Sequence, residues 1–227
     1  MPENAGHPFT VPAIAAEPLD LEFTRPVTIF VGVNGSGKST LLEAIAALSG
    51  FGGDGGNRNY RDSTTVAEER LSQALRASWK PKVSRGFYTR AETIMGLISR
   101  IDAFDAQVDY GGRSLTTRSH GEGYLQIFRN RIEGGSGLFV LDEPEAALSP
   151  ALQIEFLRMI RRAERREDTQ FIIATHSPLL MAYPGTTLLH MTDFGIIERP
   201  FERTDHFRLL REFYRDPGAF MSSIFDE

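Results

Sequence analysis

Gly32-Val33-Asn34-Gly35-Ser36-Gly37-Lys38-Ser39, followed by Thr40, decides how the rest of the chain is read. It satisfies the pattern G-x-x-x-x-G-K-[ST] at every fixed position. Before it stands Val27-Thr28-Ile29-Phe30-Val31, a short apolar run with the character of a buried strand. After it, Leu41 to Leu48 carries apolar residues at helical spacing among strong helix formers. A strand, a glycine loop and a helix start in this order leave unpaired backbone N–H groups where the helix dipole also favours negative charge. Asn34, Gly35, Ser36 and Gly37 then frame a polyphosphate. Lys38 reaches the β- and γ-phosphates, the Ser39 hydroxyl is placed to ligate Mg²⁺, and Thr40 is placed near the α-phosphate. The expected fold is α/β, a phosphate-loop domain with a mostly parallel sheet flanked by helices.

Composition bounds the rest. A chain of 227 residues with 41% hydrophobic residues suits one large α/β domain and can bury a real core. A net charge of −5 does not advertise nucleic-acid binding by the chain as a whole, though it leaves room for a local basic face. With no cysteine there is neither a disulfide nor a thiolate metal site. No apolar run approaches the roughly 20 residues that cross a bilayer. The first 16 residues lack a positive n-region, so a cytoplasmic protein is the expectation.

The second half supplies partners for the loop. Leu138-Phe139-Val140-Leu141-Asp142-Glu143 has the form of a buried parallel strand whose carboxyl edge meets a ligand. Strand side chains alternate, so the two acids point differently. Asp142 is suited to Mg²⁺, and Glu143 to the γ-phosphate and the attacking water. Gln170 to Thr175 reads as another buried strand, and His176 follows it where open α/β sheets bind ligands. A histidine there can donate a hydrogen bond to the γ-phosphate or cap the short helix that follows.

Other stretches leave alternatives open. Phe9-Thr10-Val11 and Leu19 to Phe23 read as short strands, and Phe9 or Phe23 is either core or a stacking surface for a base. Gly50 to Tyr60 is too glycine-rich for a regular element and serves as a connector or as a loop bringing Arg58 and Tyr60 to the base. Ser63 to Ser78 reads as a helix ending before Trp79 and Pro81. Gly86 to Arg90 is a strand, after which Arg90 or Glu92 touches the metal or water, or merely caps. The basic run on Ala151 to Arg166 is a nucleic-acid surface or, by preference, a solvated face paired with its own glutamates. Leu188–Met191 and Ile196–Arg199 read as a hairpin, followed by helices starting at Thr204-Asp205 and Asp216-Pro217.

Taken together, Gly32 to Ser39, Leu138 to Glu143 and His176 resemble the nucleotide motifs and switch histidine of ABC-type ATPases. Ser119-His120-Gly121-Glu122-Gly123 stands where that class carries its signature, Leu-Ser-Gly-Gly-Gln. The stretches Phe87 to Glu92, Ser119 to Gly123 and Leu141 to Pro150 most resemble small bacterial ABC/AAA-like ATPases, relatives of the chromosome-maintenance and recombination-repair ATPases. The resemblance implies a single ABC-ATPase-like domain over 1–227, with an antiparallel β portion and a helical subdomain within about 63–130. It implies Mg²⁺-dependent ATP hydrolysis, catalysed by Lys38, Glu143 and His176. It also implies an ATP-sandwiched homodimer in which Ser119 and Gly121 of one copy meet the ATP of the other. The cycle would drive a DNA or protein partner. Alternatives are the ATP-binding subunit of a membrane transporter, a phosphoryl transferase to a small acceptor, or a binding module without turnover. His120 and Glu122 depart from the signature, Ser149 stands where transporter ATPases carry aspartate, and Glu92 substitutes for the usual glutamine.

Overall fold

In the computed structural model, which describes residues 6–16, 19–51, 66–80, 85–90, 96, 98, 119–133, 135–166 and 168–225, the run before the phosphate loop is strand β1 (Val27–Val31), buried throughout. The remaining strands are β2 (Gly86–Arg90), β3 (Gly137–Asp142), β4 (Thr169–Ala174), β5 (Thr187–Thr192) and β6 (Gly195–Glu198). They form one sheet in the order β2-β3-β4-β1-β5-β6. The first five strands of that order pair in parallel, and β5–β6 is an antiparallel hairpin. Continuous apolar runs, not alternating ones, build β1, β3 and β4 because both their faces are covered.

The cover divides into two cores by strand parity. One face packs Ile29, Phe139, Leu141 and Phe171 under helices α4 (His120–Glu133), α5 (Pro150–Glu164) and α6 (Pro178–Met181). The other packs Phe30, Tyr88, Val140 and Ile172 under α1 (Pro12–Ala15), α2 (Lys38–Leu48) and α3 (Val66–Ala74). A hairpin of two helices, α7 (Asp205–Arg215) and α8 (Pro217–Phe225), follows the sheet, and none of its residues is buried. Its start signals are those read from sequence: Thr204 accepts the Phe207 N–H at 3.0 Å, and Asp216 accepts the Ala219 N–H at 2.9 Å.

The N-terminal strands are a correction. Residues 7–10 form a turn that leads through extended Val11 into α1, because Pro12 at the first helical position favours a helix start. Residues 19–23 do not pair, although Leu19, Leu21 and Phe23 pack against the second core. Their alternation is satisfied by side-chain packing without a ladder. The helix expected over 63–78 is shorter: Val66–Ala74 is helical and residues 75–78 are not, while residues 63–65 lie outside the described residues. The expected loop after Glu143 contains a 3₁₀ turn, Pro144–Ala147. About half of the helical subdomain expected at about 63–130 lies outside the described residues; of the rest, α3 and α4 pack on opposite faces of the sheet and β2 belongs to the sheet itself.

The basic face of α5 is paired. Arg158 meets Glu155, Arg161 meets Glu164 at 2.8 Å, and Arg162 meets Glu133 at 3.8 Å. This is the solvated-face alternative of the sequence reading.

Candidate nucleotide site

Parallel register aligns the carboxyl ends of the central strands: Arg90 pairs with Asp142, Asp142 with Ala174, and Ala174 with Phe30. The loop after β1, the acids after β3 and His176 after β4 therefore meet at one rim, where open α/β sheets take ligands. They enclose a cleft of about 530 Å³. Asn34, Gly35, Gly37, Lys38, Ser39 and Thr40 line it from the loop and helix, Glu143 and His176 from neighbouring strands, and His7 and Val11 from the N-terminal segment. Ser36 is not among the lining residues; its hydroxyl is buried under the loop without a hydrogen-bond partner.

Two glycines are required by shape. A Cβ on Gly32 would lie 2.6 Å from the Ser36 Oγ and 2.9 Å from the Met191 carbonyl oxygen. Gly37 caps α2 at φ 95°, and a Cβ there would meet Val11 Cγ1 at 2.5 Å. Lys38 is buried and donates to the carbonyls of Gly32 at 3.0 Å and Val33 at 3.2 Å. An ammonium has three donors, so one remains for an anion. Burial lowers the Lys38 pKa, and the charges of Glu143, Asp142 and Glu145 oppose that shift.

Burial pushes the Asp142 carboxyl up to about 6, with the Ser39 hydroxyl and the Arg90 guanidinium pulling it back. Its Oδ1 is buried and meets no full hydrogen-bond partner, although Ser39 stands beside the carboxylate. Asp142 is buried and is not itself among the residues that line the cleft, but it stands beside Ser39, which is, and an orphaned carboxylate oxygen beside a hydroxyl suits an oxygen-seeking divalent cation. Glu143 has φ 49° and ψ 51°, a left-handed conformation that costs a non-glycine residue on the order of 1 kcal/mol. Its N–H donates to the Ala174 carbonyl at 2.9 Å, which holds the turn and leaves the carboxylate lining the cleft. Glu143 Oε1 lies 3.7 Å from His176 Nε2. Burial and, after it, the Lys38 charge lower the His176 pKa, so the ring is neutral near pH 7.

Glu145 was not read from the sequence as part of the site. Its Oε1 accepts the N–H groups of His176 at 2.5 Å and Ser177 at 3.2 Å, so it fixes the backbone that carries the histidine. The only signal was a third acid two residues beyond Glu143, after Pro144. His7 was missed as well, since nothing local announces that the N-terminal segment crosses the loop. Phe9 and Phe23 are not among the lining residues; they pack against the second core. Glu92, Arg58 and Tyr60 lie outside the described residues.

The signature residues stand apart from this cleft. Ser119 precedes α4, which packs on the face of the sheet opposite α2. Its hydroxyl and N–H both donate to Glu122 Oε2, at 2.7 and 3.1 Å, and the Glu122 N–H returns to Ser119 Oγ at 3.4 Å. This reciprocal capping box needs Glu or Gln at its third position and accounts for Glu122. A Cβ on Gly121 would meet Ala147 O at 2.8 Å, so that glycine lets α4 approach the turn after Glu143. Ser149 caps α5, accepting the Leu152 N–H at 3.4 Å.

The chain is similar to known proteins. A family profile described as "AAA domain" matches residues 11–137, and another described as "AAA domain, putative AbiEii toxin, Type IV TA system" matches residues 115–182. The hemin import ATP-binding protein HmuV of Rhodopseudomonas palustris (strain ATCC BAA-98 / CGA009) is 30% identical over 189 residues, 73% of this chain and 69% of that protein. The DNA replication and repair protein RecF of Heliobacterium modesticaldum is 42% identical over 59 residues, 26% of this chain and 15% of that protein. The solved structure of cbiO1 from Clostridium perfringens, part of the ABC transporter complex cbiONQ, aligns with a TM-score of 0.53 at 16% identity over 92% of each chain. That last likeness is one of fold.

Proposed function

The chain belongs to the AAA-domain ATPases of the ABC type, and from that premise we propose that it hydrolyses Mg²⁺-ATP at the cleft headed by Lys38, through a dimer that sandwiches the nucleotide and drives a partner. The observation that carries this reading is the meeting of Lys38, Ser39, Glu143 and His176 around one cleft. Lys38 and the loop N–H groups hold the β- and γ-phosphates and stabilise charge that develops on them. Ser39 and Asp142 would hold Mg²⁺, which would supply positive charge to neutralise the phosphates. Glu143 orients the attacking water. The neutral His176 donates to the γ-phosphate, on a backbone held by Glu145. Thr40 lies at the α-phosphate end.

A second copy completes the site. Ser119 and Gly121 do not line the cleft of their own chain, which supports their meeting the ATP of a partner copy. In that assembly the Ser119 hydroxyl must exchange Glu122 for phosphate, so the capping box opposes closure until ATP is present.

The partner is proposed at a coarser level. The relative aligned over most of the chain is an import ATP-binding protein, which favours a membrane-bound partner for a chain working on the cytoplasmic side. No helix among the described residues is long and apolar enough to cross a membrane. The RecF match and the departures at His120 and Glu122 favour a DNA-maintenance partner instead. Phosphate release, measured alone and then with duplex DNA or membrane extract added, separates these readings by which addition stimulates turnover. The hydrolytic role itself is tested by Glu143→Gln, which retains ATP affinity and slows single-turnover hydrolysis by about 10²–10⁴-fold. A wild-type rate in that variant removes Glu143 from the chemistry.

A further inference from the structure

Strand parity sets a side chain beside the metal carboxylate that the nucleotide motifs do not name. Asp142 shares its side of β3 with Leu138 and Val140, which belong to the core under α2. Arg90 shares its side of β2 with Tyr88, in the same core, and is the register partner of Asp142. On α2, Glu43 stands four residues after Ser39 and so on the same helix face. Three elements thus bring Ser39, Asp142, Arg90 and Glu43 together. Arg90 Nη1 is in ion-pair contact with Glu43 Oε1, and Arg90 Nε lies 3.8 Å from Asp142 Oδ2.

We propose that Arg90 is a positioning residue for the magnesium site: anchored on Glu43, it holds Asp142 by Oδ2 and leaves Oδ1 for the metal. This rests on the reading of Asp142 as a metal ligand. Glu43 is 8% exposed, and a buried carboxylate is tolerated as a charge when it is paired, as it is here with Arg90. A guanidinium presents donors in a planar fork, so one side chain can bind Glu43 at one nitrogen and face Asp142 with another. Asp142 would otherwise turn about its side-chain bonds, and a carboxylate free to rotate is a poorer ligand than one held by a fixed neighbour.

The experiment compares the affinity of a fluorescent ADP analogue with and without Mg²⁺, the second in excess EDTA. The ratio of the two dissociation constants reports the metal's contribution. Asp142→Asn sets the scale; if it leaves the ratio unchanged, the metal-ligand reading fails, whatever Arg90 does. Given a response there, Arg90→Met is expected to cut the ratio by about ten- to a hundred-fold, the usual effect of losing an outer partner of a metal ligand, with affinity in EDTA unchanged. Arg90→Met also removes the ion-pair contact of Glu43 with Arg90, so the Glu43→Gln/Arg90→Met double variant removes that buried charge and carries the test if the single variant does not fold. A ratio that stays low in the double variant supports positioning. A ratio restored to wild type means that Arg90 only neutralises Glu43, and overturns the proposal. So does an equal loss of affinity with and without Mg²⁺.

Discussion

The metal role proposed for Asp142 sets two demands against each other, since burial favours its neutral form and a metal would need the carboxylate. Its folded pKa of about 6 lies above the ordinary value of about 3.9. Protonation therefore stabilises the metal-free protein, fully below the unfolded value, and that contribution is lost as pH rises through about 6. Asp142→Asn should then raise the melting temperature of metal-free protein at pH 8, by an amount that shrinks as pH falls through 6 toward 4. A thermal melt series in EDTA measures this. The same proton competes with the metal, so the Mg²⁺-dependent part of nucleotide affinity should be flat above about pH 7 and fall as pH drops below 6. Constant Mg²⁺ dependence down to pH 5 would exclude Asp142 as the ligand. At this scale the sequence was most legible where chemistry is local. Lys38, Ser39, Asp142, Glu143 and His176 stand next to their own strand ends, and a motif with its flanks places them. Arg90 was open to reading as a polar residue at a strand end near the metal, but its anchoring on Glu43 of α2 and the hold of Glu145 on the backbone after β4 are contacts across the chain that no local pattern encodes.

The elements show the same division. β1, β3 and β4 were readable because burial on both faces demands unbroken apolar runs. The segment 19–23 was misread because alternation reports one covered face, not a hydrogen-bonded neighbour. Close packing between elements is less visible still. Gly86 opens β2 so tightly against its surroundings that a Cβ would lie 2.2 Å from Phe51 Cζ and 2.3 Å from the Leu138 carbonyl oxygen. The second obstacle is backbone and cannot rotate away. Gly86→Ala is therefore expected to cost about 1–3 kcal/mol, the range of overpacked cores, and to lower the melting temperature by several degrees. ATP affinity measured well below the melt should be unchanged, since Gly86 lies at the strand end opposite the ligand rim. An unshifted melt would mean that β2 and β3 are spaced differently.

For the whole molecule, the distance between the phosphate loop and the signature matters most. α2 and α4 sit on opposite faces of the sheet, and the proposed sandwich would use them as two half-sites of one copy. Glu143→Gln with saturating Mg²⁺-ATP should sediment as a dimer and without nucleotide as a monomer; an ATP-saturated monomer rejects the sandwich. The C-terminal hairpin starts at the same rim, with the His206 ring 5.9 Å from that of His176. The sequence predicted its helices from their caps but not the exposure of Leu209, Tyr214 and Phe225 on them, because apolar spacing tells which residues share a face and not what covers it.

Every role assigned above depends on ATP occupying the cleft headed by Lys38. The direct measurement is a calorimetric titration of Mg²⁺-ATP into the wild-type chain and into Lys38→Ala. Wild-type protein should bind one nucleotide per chain, and the variant at least about a hundred-fold more weakly, for loss of a charge-assisted donor in a buried site. Equal affinities in the two proteins would contradict the account.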